Sequence, residues 1–514
     1  MKLRRAFTIV EIAAVISVLA VITAITIVGY GNWRNRAAVN DVKNELTLAA
    51  AAMKAELATN NAYPSSVSGS YKPGLNVTVS YMSGDASSYC LEGVSKTVTS
   101  IRMFIKNTDL VPSMGTCGTG SIASIDPNTG MGTSGKVWID FDVSNYGTCA
   151  LDYGGYAYCW GRASNGGLGN NTSSGNMNKP TPVYKSGVLN GLTVQSISVG
   201  SPSNEETVCA IASDSKLYCW GSDNGGLLGN SAVTTNSLVP ISIDTSGLLS
   251  GKSILKSKVG LGPANCVVAS DNKIYCWGTG TVGQLGQGAY ASSEVPVAVV
   301  MTGALSGKTI KDFGRVSTGM CVLASDDKPY CWGYGAYGTN GNGSTSSTNV
   351  PVAVTMSGIL SGKTVKLIGG KCVVASDDAA YCWGAGTSGQ LGNGGSIDSS
   401  VPVAVDTSGV LSGKTIKDIS GWSSSSCALD SSGNAYCWGD NSHGQLGNNT
   451  TTSSTVPVAV TMNGLSFTRI ETSGGHTCAL ATTSKLYCWG WNTDSQLGDG
   501  TATQRLVPTL VSEP

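Results

Sequence analysis

Fourteen of the sixteen cysteines form seven pairs with a constant separation of ten residues: Cys149 with Cys159, Cys209 with Cys219, Cys266 with Cys276, Cys321 with Cys331, Cys372 with Cys382, Cys427 with Cys437 and Cys478 with Cys488. Paired cysteines can hold zinc, form disulfides or remain core thiols. No pair has the close C-x-x-C spacing of a tetrahedral zinc site. In the sixth copy, Cys427-Ala428-Leu429 and Ala435-Tyr436-Cys437 flank the polar stretch Asp430-Ser431-Ser432-Gly433-Asn434, the pattern of a β-hairpin. A turn centred on Ser432 sets Cys427 opposite Cys437, with Cα atoms roughly 4.5 Å apart, within reach of a disulfide. Seven cross-strand disulfides are the economical reading, and reduced core thiols are the alternative, since such short loops each stabilise by only about 2–3 kcal/mol.

Other reactive constellations are sparse. The two histidines, His443 and His476, fall in different copies without a catalytic partner spacing, and both read as surface-loop residues. Three G-x-G-x-x-G matches, at Gly278-Gly280-Gly283, Gly333-Gly335-Gly338 and Gly384-Gly386-Gly389, each follow a repeat tryptophan with no helix pattern behind them, so they do not form a phosphate cradle. The acidic pairs Asp326 with Asp327 and Asp377 with Asp378 fall in hairpin turns and are too few for a calcium loop. No metal, cofactor or enzymatic activity is expected. The repeated tryptophans suit packing between repeat units better than sugar stacking, because every copy has one. Aromatics specific to one copy, Tyr334, Tyr337, Trp422 and Trp491, are the candidate binding residues and are expected to be exposed.

These residues need a repeating scaffold. Each second cysteine lies in Tyr-Cys-Trp-Gly, and the tryptophans Trp160, Trp220, Trp277, Trp332, Trp383, Trp438 and Trp489 are 60, 57, 55, 51, 55 and 51 residues apart. Such a period suits propeller blades. After each Trp-Gly comes a glycine-rich turn, as in Gly389-Gln390-Leu391-Gly392, then a strand marked by Pro182, Pro240, Pro296, Pro351, Pro402, Pro457 or Pro508. Proline belongs at a strand start or edge. A strand before each first cysteine, such as Ser196-Ile197-Ser198-Val199, completes four per unit, and radial repetition protects their edges. The pattern Trp438-Gly439-Asp440-Asn441-Ser442-His443-Gly444-Gln445-Leu446-Gly447 resembles the repeat of the regulator of chromosome condensation family. The resemblance covers about Lys136 to Pro514 and implies a seven-bladed propeller. Gly338-Thr339-Asn340-Gly341 departs from the motif, and the cysteines are an addition suited to an oxidising compartment. The ring closes either by end-to-end blade packing or by the strand around Val507 joining the first blade beside Val137 to Val143.

The amino terminus is of another kind. Residues Ala6 to Trp33 carry one charge, Glu11, and are long enough as a helix to span a bilayer. Lys2, Arg4 and Arg5 precede it and orient the rest of the chain outside. Arg5-Ala6-Phe7-Thr8-Ile9-Val10-Glu11-Ile12 resembles the processing site of type IV prepilins and pseudopilins. That resemblance implies cleavage after Ala6 by a prepilin peptidase, methylation of the Phe7 amine, and pairing of Glu11 with the Phe7 amine of a neighbouring pilin; a carboxylate in an apolar helix needs such a partner. The stripe Val39, Val42, Leu46, Met53, Leu57 continues the helix. The expected organisation is a leader (1–6), a helix of roughly 80 Å (7–59, transmembrane over 7–33), a small pilin-like α+β region (60–125), a glycine-rich linker (126–135) and the all-β propeller (136–514). Cys90 and Cys117, the cysteines left over, are expected to pair with each other.

Lys+Arg and Asp+Glu balance at 32 each, and removing Lys2, Arg4 and Arg5 leaves 29 against 32. With no basic cluster outside the leader, nucleic acid is not an expected partner. A propeller of this length has a radius of gyration of about 21 Å, too bulky for close packing along a thin filament. The leading expectation is a minor type IV pilin that passes once through the inner membrane and then shows the propeller at the pilus or cell surface, for adhesion to an extracellular protein or glycan. A pseudopilin or assembly-priming subunit is the alternative; a tethered enzyme lacks a catalytic constellation.

Overall fold

The computed structural model describes residues 136–200, 206–259, 264–316 and 319–514, and, nearer the amino terminus, Leu46, Ala49 and the strands β1 (Val77–Asp85), β2 (Ser88–Ser95), β3 (Arg102–Lys106) and β4 (Ser113–Met114). Two compact units result, Met1–Lys136 and Val137–Pro514. In the first, Leu46 and Ala49 are helical and buried, and β1 to β4 form an antiparallel meander with Leu91 buried. Cys90 lies in β2, opposite Lys106 of β3; Cys117, and with it the expected pairing of Cys90 with Cys117, lies outside the described residues. So do Ala6, Phe7, Glu11, the span 7–33 and the linker 126–135. Among the described residues no helix is long and apolar enough to cross a membrane.

The second unit is a seven-bladed all-β propeller. Blade one consists of β5 (Trp138–Val143), β6 (Gly147–Asp152), β7 (Ala157–Gly161) and β8 (Met177–Pro182), and six further four-stranded meanders span 194–242, 254–298, 310–353, 365–404, 416–459 and 467–510. We call the strands of every blade A to D from the channel outwards. The hairpin logic holds: Cys427 pairs with Cys437 across strands B and C. The other six pairs are opposed in the same way, Cys149 with Cys159, Cys209 with Cys219, Cys266 with Cys276, Cys321 with Cys331, Cys372 with Cys382 and Cys478 with Cys488. All seven are disulfides rather than core thiols. Their Cα atoms are 4.1 Å apart in six and 4.0 Å apart in the bond of Cys427 to Cys437, somewhat closer than the spacing expected from an ideal ladder.

The outer strands carry the prolines at a bulge, where a missing N–H costs nothing. In blade one the register-equivalent residue is Pro180 rather than Pro182: Met177 opposes Gly161 as Ser237 opposes Gly221, which aligns Pro180 with Pro240.

Blades are joined by one contact used seven times. The repeat tryptophans are wholly buried. Six donate their indole N–H to the loop of the preceding blade: Trp220 to Gly167 O at 3.2 Å, Trp277 to Leu227 O at 2.9 Å, Trp332 to Gln284 O at 2.9 Å, and Trp383, Trp438 and Trp489 to Thr339, Gln390 and Gln445 O at 3.0 Å. The motif's last glycine is required twice over. Gly392 has φ +69°, and a β-carbon there would stand 2.6 Å from the Trp438 indole nitrogen, so any side chain would meet both left-handed backbone and the ring. Thr339 and Asn340 replace Gln-Leu in blade four without loss because a main-chain carbonyl accepts the bond.

Gly498 meets Trp160 in the same way, so the ring closes by end-to-end blade packing. The strand around Val507 stays in blade seven, paired with Leu486–Gly490. Polar contacts reinforce the seam: Trp138 N to Ser484 O at 3.0 Å, Gly500 N to Asn178 O at 2.8 Å, and an ion pair between Arg469 and Asp140. Among the described residues Trp160 itself finds no hydrogen-bond partner for its indole nitrogen.

Candidate recognition face

In a four-stranded meander the A–B and C–D loops lie at one end of the blade and the B–C turns and D–A connections at the other. The two ends of this propeller differ in kind. At the B–C/D–A end the sequence repeats almost verbatim: Leu-Ser-Gly-Lys recurs at 249–252, 305–308, 360–363 and 411–414. Each lysine reaches a turn aspartate, Lys252–Asp271 at 3.8 Å, Lys308–Asp326 at 4.0 Å, Lys363–Asp377 at 3.7 Å and Lys414–Asp430 at 3.6 Å. The same carboxylates accept the hydroxyls of Tyr275, Tyr330, Tyr381 and Tyr436 at 2.6–3.0 Å. Asp326 and Asp377 therefore clamp the D–A connection to the hairpin.

At the A–B/C–D end the copies share the glycine that receives the next blade's tryptophan but diverge beside it. The residue two after the repeat tryptophan is different in every blade: Arg162, Ser222, Thr279, Tyr334, Ala385, Asp440 and Trp491. Its backbone is held alike, with the N–H groups of Arg162, Ser222, Asp440 and Trp491 donating to Tyr146, Glu206, Ser424 and Gly475 carbonyls of the A–B loops at 2.7–3.0 Å. In these four blades one backbone frame thus holds four different side chains at this end, of which Ser222 is buried.

Around the seam these side chains form a patch. Trp491 is half-buried, stacked on His443 with ring centroids 5.1 Å apart and met edge-on by Tyr146 at 6.0 Å. The Arg162 guanidinium lies 3.7 Å from the Tyr146 ring centroid and makes two 3.0 Å bonds to Asp494. Beneath them Gly474 ties three blades together, accepting from Ser424 at 3.2 Å and Gln445 at 3.3 Å and donating to Asn145 at 3.2 Å.

Several expectations are corrected here. Trp422 is not exposed: it is buried among the A–B loops, its indole beside Gly474. Trp491 is only partly exposed because its faces meet His443 and Gly475. His476 is not a loop residue but the buried start of a B strand (His476–Ala481), with its ring nitrogens 3.1 Å from Thr148 Oγ1 and 3.0 Å from Ser473 Oγ; burial pulls it down to about 3. His443 sits on the face as expected, half-buried against Trp491. Tyr334 is half-buried and Tyr337 is 54% exposed at the same end of blade four, away from the seam patch. Sequence reasoning missed Tyr146, Arg162 and Asp494, although alignment of the seven copies on Tyr-Cys-Trp-Gly exposes Arg162 as the blade-one counterpart of Trp491.

The inner strands surround a central channel of about 400 Å³ lined by Asp140, Lys256, Asp312, Asp418, Arg469 and Glu471, among others. Polar side chains of the inner strands cap the free edges of neighbouring strands: Asp142 accepts Val199 N, Ser198 accepts Val259 N, and Asp418 accepts Ile470 N, each at 2.9 Å. Burial, with Glu471 nearby, pushes Asp418 up to about 6. These groups join blades. Among the described residues no cluster of three metal-ligating side chains occurs.

Comparison with known proteins agrees with the fold. The regulator of chromosome condensation (RCC1) repeat model matches residues 271–314, 377–429, 432–480 and 484–514, and a second model of the same repeat matches 416–445 and 467–496. The chain is 28% identical over 368 residues to the ultraviolet-B receptor UVR8 of Arabidopsis thaliana, covering 70% of this chain and 79% of that protein. Among solved structures it resembles human WBSCR16 (19% identity, TM-score 0.60, 70% and 94% of the two chains). It also resembles Prp20p of Saccharomyces cerevisiae, whose structure was described with its binding to Gsp1p and histones (19%, TM-score 0.58, 69% and 85%). Residues 137–514 of this chain thus form a disulfide-stapled propeller with seven blades, within which RCC1 repeats are matched over 271–314 and 377–514.

Proposed function

We propose that the propeller is a non-catalytic head for recognising a protein partner, and that its A–B/C–D end makes the contact. The observation that carries this is the asymmetry between ends. Fold requirements repeat in every blade, and the end where Leu-Ser-Gly-Lys recurs follows them, whereas the position after Trp-Gly differs in all seven copies. Tyrosine, tryptophan and arginine, gathered at the seam patch, are the residue types that dominate protein contacts. An open sugar platform is less well supported, because both neighbours of Trp491 occupy its ring. The protein-binding relative Prp20p supports a protein as the class of partner.

For its setting, the pilin-like run from Arg5 to Ile12 and the apolar stretch Ala6 to Trp33 support a minor type IV pilin that carries the head across the inner membrane to the cell or pilus surface. The seven disulfides support an oxidising compartment. Attachment of cells bearing Trp491→Ala with Tyr146→Ala, compared with Leu248→Ser with Val410→Ser at the opposite end, tests the face. The first pair is expected to reduce attachment at least about tenfold, as loss of interface anchors does, and the second to leave it unchanged. Equal losses from both pairs would remove the basis for assigning the face.

A further inference from the structure

Blade five interrupts the loops that frame the A–B/C–D end. In four blades the strand A residue opposite the first cysteine lies seven positions before it, Asp142 for Cys149, Gly314 for Cys321, Ser420 for Cys427 and Glu471 for Cys478, and in blades two and three the loop is longer. In blade five Gly369 opposes Cys372, three positions on, so Gly370 and Lys371 form the whole turn. Gly370 takes the first place of that turn at φ +74°, where a two-residue hairpin needs glycine. Four residues that elsewhere fold back over the end of strand C are therefore missing.

The gap leaves two donors without acceptors. In the other blades a β-carbon on the glycine after the tryptophan would meet a loop carbonyl: Tyr146 O lies 2.4 Å from that point at Gly161, Glu206 O 2.2 Å at Gly221, Ser424 O 2.3 Å at Gly439 and Gly475 O 2.5 Å at Gly490. The same carbonyls accept the N–H groups of Arg162, Ser222, Asp440 and Trp491. At Gly384 the nearest atoms are instead Lys371 Cδ at 2.9 Å and Nζ at 3.6 Å, so the lysine stem lies where the carbonyl is elsewhere. Trp383 N–H still reaches the Lys371 carbonyl at 3.0 Å, but the N–H of Ala385, the counterpart of Arg162 and Trp491, has no partner among the described residues. Lys371 is 4% exposed, and its ammonium makes no hydrogen bond or ion pair among the described residues. The Asp398 carboxyl acts on it only through space and itself accepts Gly386 N at 2.8 Å.

What the gap lacks is an acceptor oxygen, and a positive charge stands in its place. We propose that the blade-five notch is a socket for the carboxylate of an acidic side chain, aspartate or glutamate, on a loop of the protein partner. This rests on the reading of the A–B/C–D end as the contact surface. The carboxylate accepts the Ala385 N–H and the Lys371 ammonium together, a charge-assisted arrangement at a largely buried position. It also offsets the stability that an unpaired buried amine costs. The surroundings suit a protein loop better than a free anion. The blade-four turn Ala336–Gly338 packs on strands C and D of blade five and carries Tyr337, 54% exposed. Ile397, whose carbonyl stands 2.2 Å from a β-carbon placed on Gly386, is 80% exposed. Both offer apolar surface that a peptide covers and a small carboxylate does not.

The test is an NMR titration of the full-length chain labelled with [¹⁵N]alanine, the Ala385 amide being identified by its loss in Ala385→Ser. With the blocked tripeptide acetyl-Gly-Glu-Gly-amide, the Ala385 amide proton is expected to move downfield and saturate. Lys371→Met keeps the stem over Gly384 and removes the charge, and should weaken binding at least about tenfold, the size of a lost hydrogen bond to a charged group. The glutamine tripeptide should bind at least about tenfold more weakly to the wild type. An Ala385 amide that stays still, equal responses to the two tripeptides, or undiminished binding by Lys371→Met overturns the proposal. Tighter binding of acetyl-Gly-Gln-Gly with a free carboxyl terminus than of the glutamate tripeptide also overturns it, by assigning the socket to a chain end. Should Lys371→Met fold poorly, the peptide comparison on the wild type decides. The titration needs neither cells nor the partner, so its failure is distinct from failure of the attachment assay that tests the face.

Discussion

His476 is enclosed by Thr148 and Ser473 and held neutral by burial. Its folded pKa lies below the unfolded value near 6.5, so the unfolded chain binds more protons between pH 6.5 and about 3 and stability falls as pH drops through that window. His476→Gln should remove this dependence, so that urea midpoints of wild type and variant diverge below pH 6.5 at a rate approaching about 1.4 kcal/mol per pH unit. Parallel profiles would contradict the buried neutral ring. Glu206 acts in the opposite sense: its raised pKa makes its contribution full below 4.5 and lost as pH rises towards 7. Lys371 supplies a second prediction. It occupies the position where Thr148, Asn265, Ser426 and Thr477 donate to the preceding blade's loop carbonyl, yet its buried ammonium makes no hydrogen bond or ion pair among the described residues, and burial pulls it down to about 8. Lys371→Thr should therefore stabilise the propeller by about 1–3 kcal/mol at pH 7. The gain should shrink between pH 8 and 10.5, where the wild-type amine becomes neutral; chemical denaturation at pH 7 and 10 checks both. His476 and Lys371 were illegible in sequence for one reason: neighbouring blades place small polar residues or glycine around those positions, so no periodic signal reports burial.

At the scale of elements, the hairpins and their disulfides were legible because cysteine pairing is local: a ten-residue separation around a five-residue turn admits one register. That register recurs from Cys149 with Cys159 to Cys478 with Cys488. The junctions between blades were legible only in part. Glycine at the end of Gly-Gln-Leu-Gly marks a turn, but that it receives the next blade's tryptophan depends on contacts some 50 residues away. Because the hydrogen bond from Trp438 to Gln390 O is made and the corresponding bond of Trp160 is not among the described residues, the same conservative change should differ between junctions. Trp438→Phe should cost about 1 kcal/mol more than Trp160→Phe in denaturant midpoints, and equal costs would contradict the seam described here. Deleting one staple as Cys427→Ala with Cys437→Ala should lower stability by about 3 kcal/mol by restoring loop entropy to the unfolded chain, with the ring retained by circular dichroism.

At the scale of the whole molecule, the sequence foretold seven blades because seven tetrapeptides recur, and it left closure open because both modes use the same strands. Gly498 against Trp160 decides for end-to-end packing. The candidate face was half-legible. Trp491 and Tyr334 were singled out as copy-specific aromatics, but Trp422 was misread, since its burial depends on the A–B loops around Gly474 that no pattern announces. What remains to be tested is that this head is carried outside and used there to bind. The direct measurement is to label the propeller on intact cells and on filaments sheared from them, and to compare attachment of cells bearing the full chain with cells whose chain lacks residues 136–514. Label on the sheared or surface fraction, with filaments intact but attachment lost in the deletion strain, is the predicted result. Label confined to the inner membrane with attachment unchanged would contradict it, and loss of the filaments themselves would point to an assembly subunit instead.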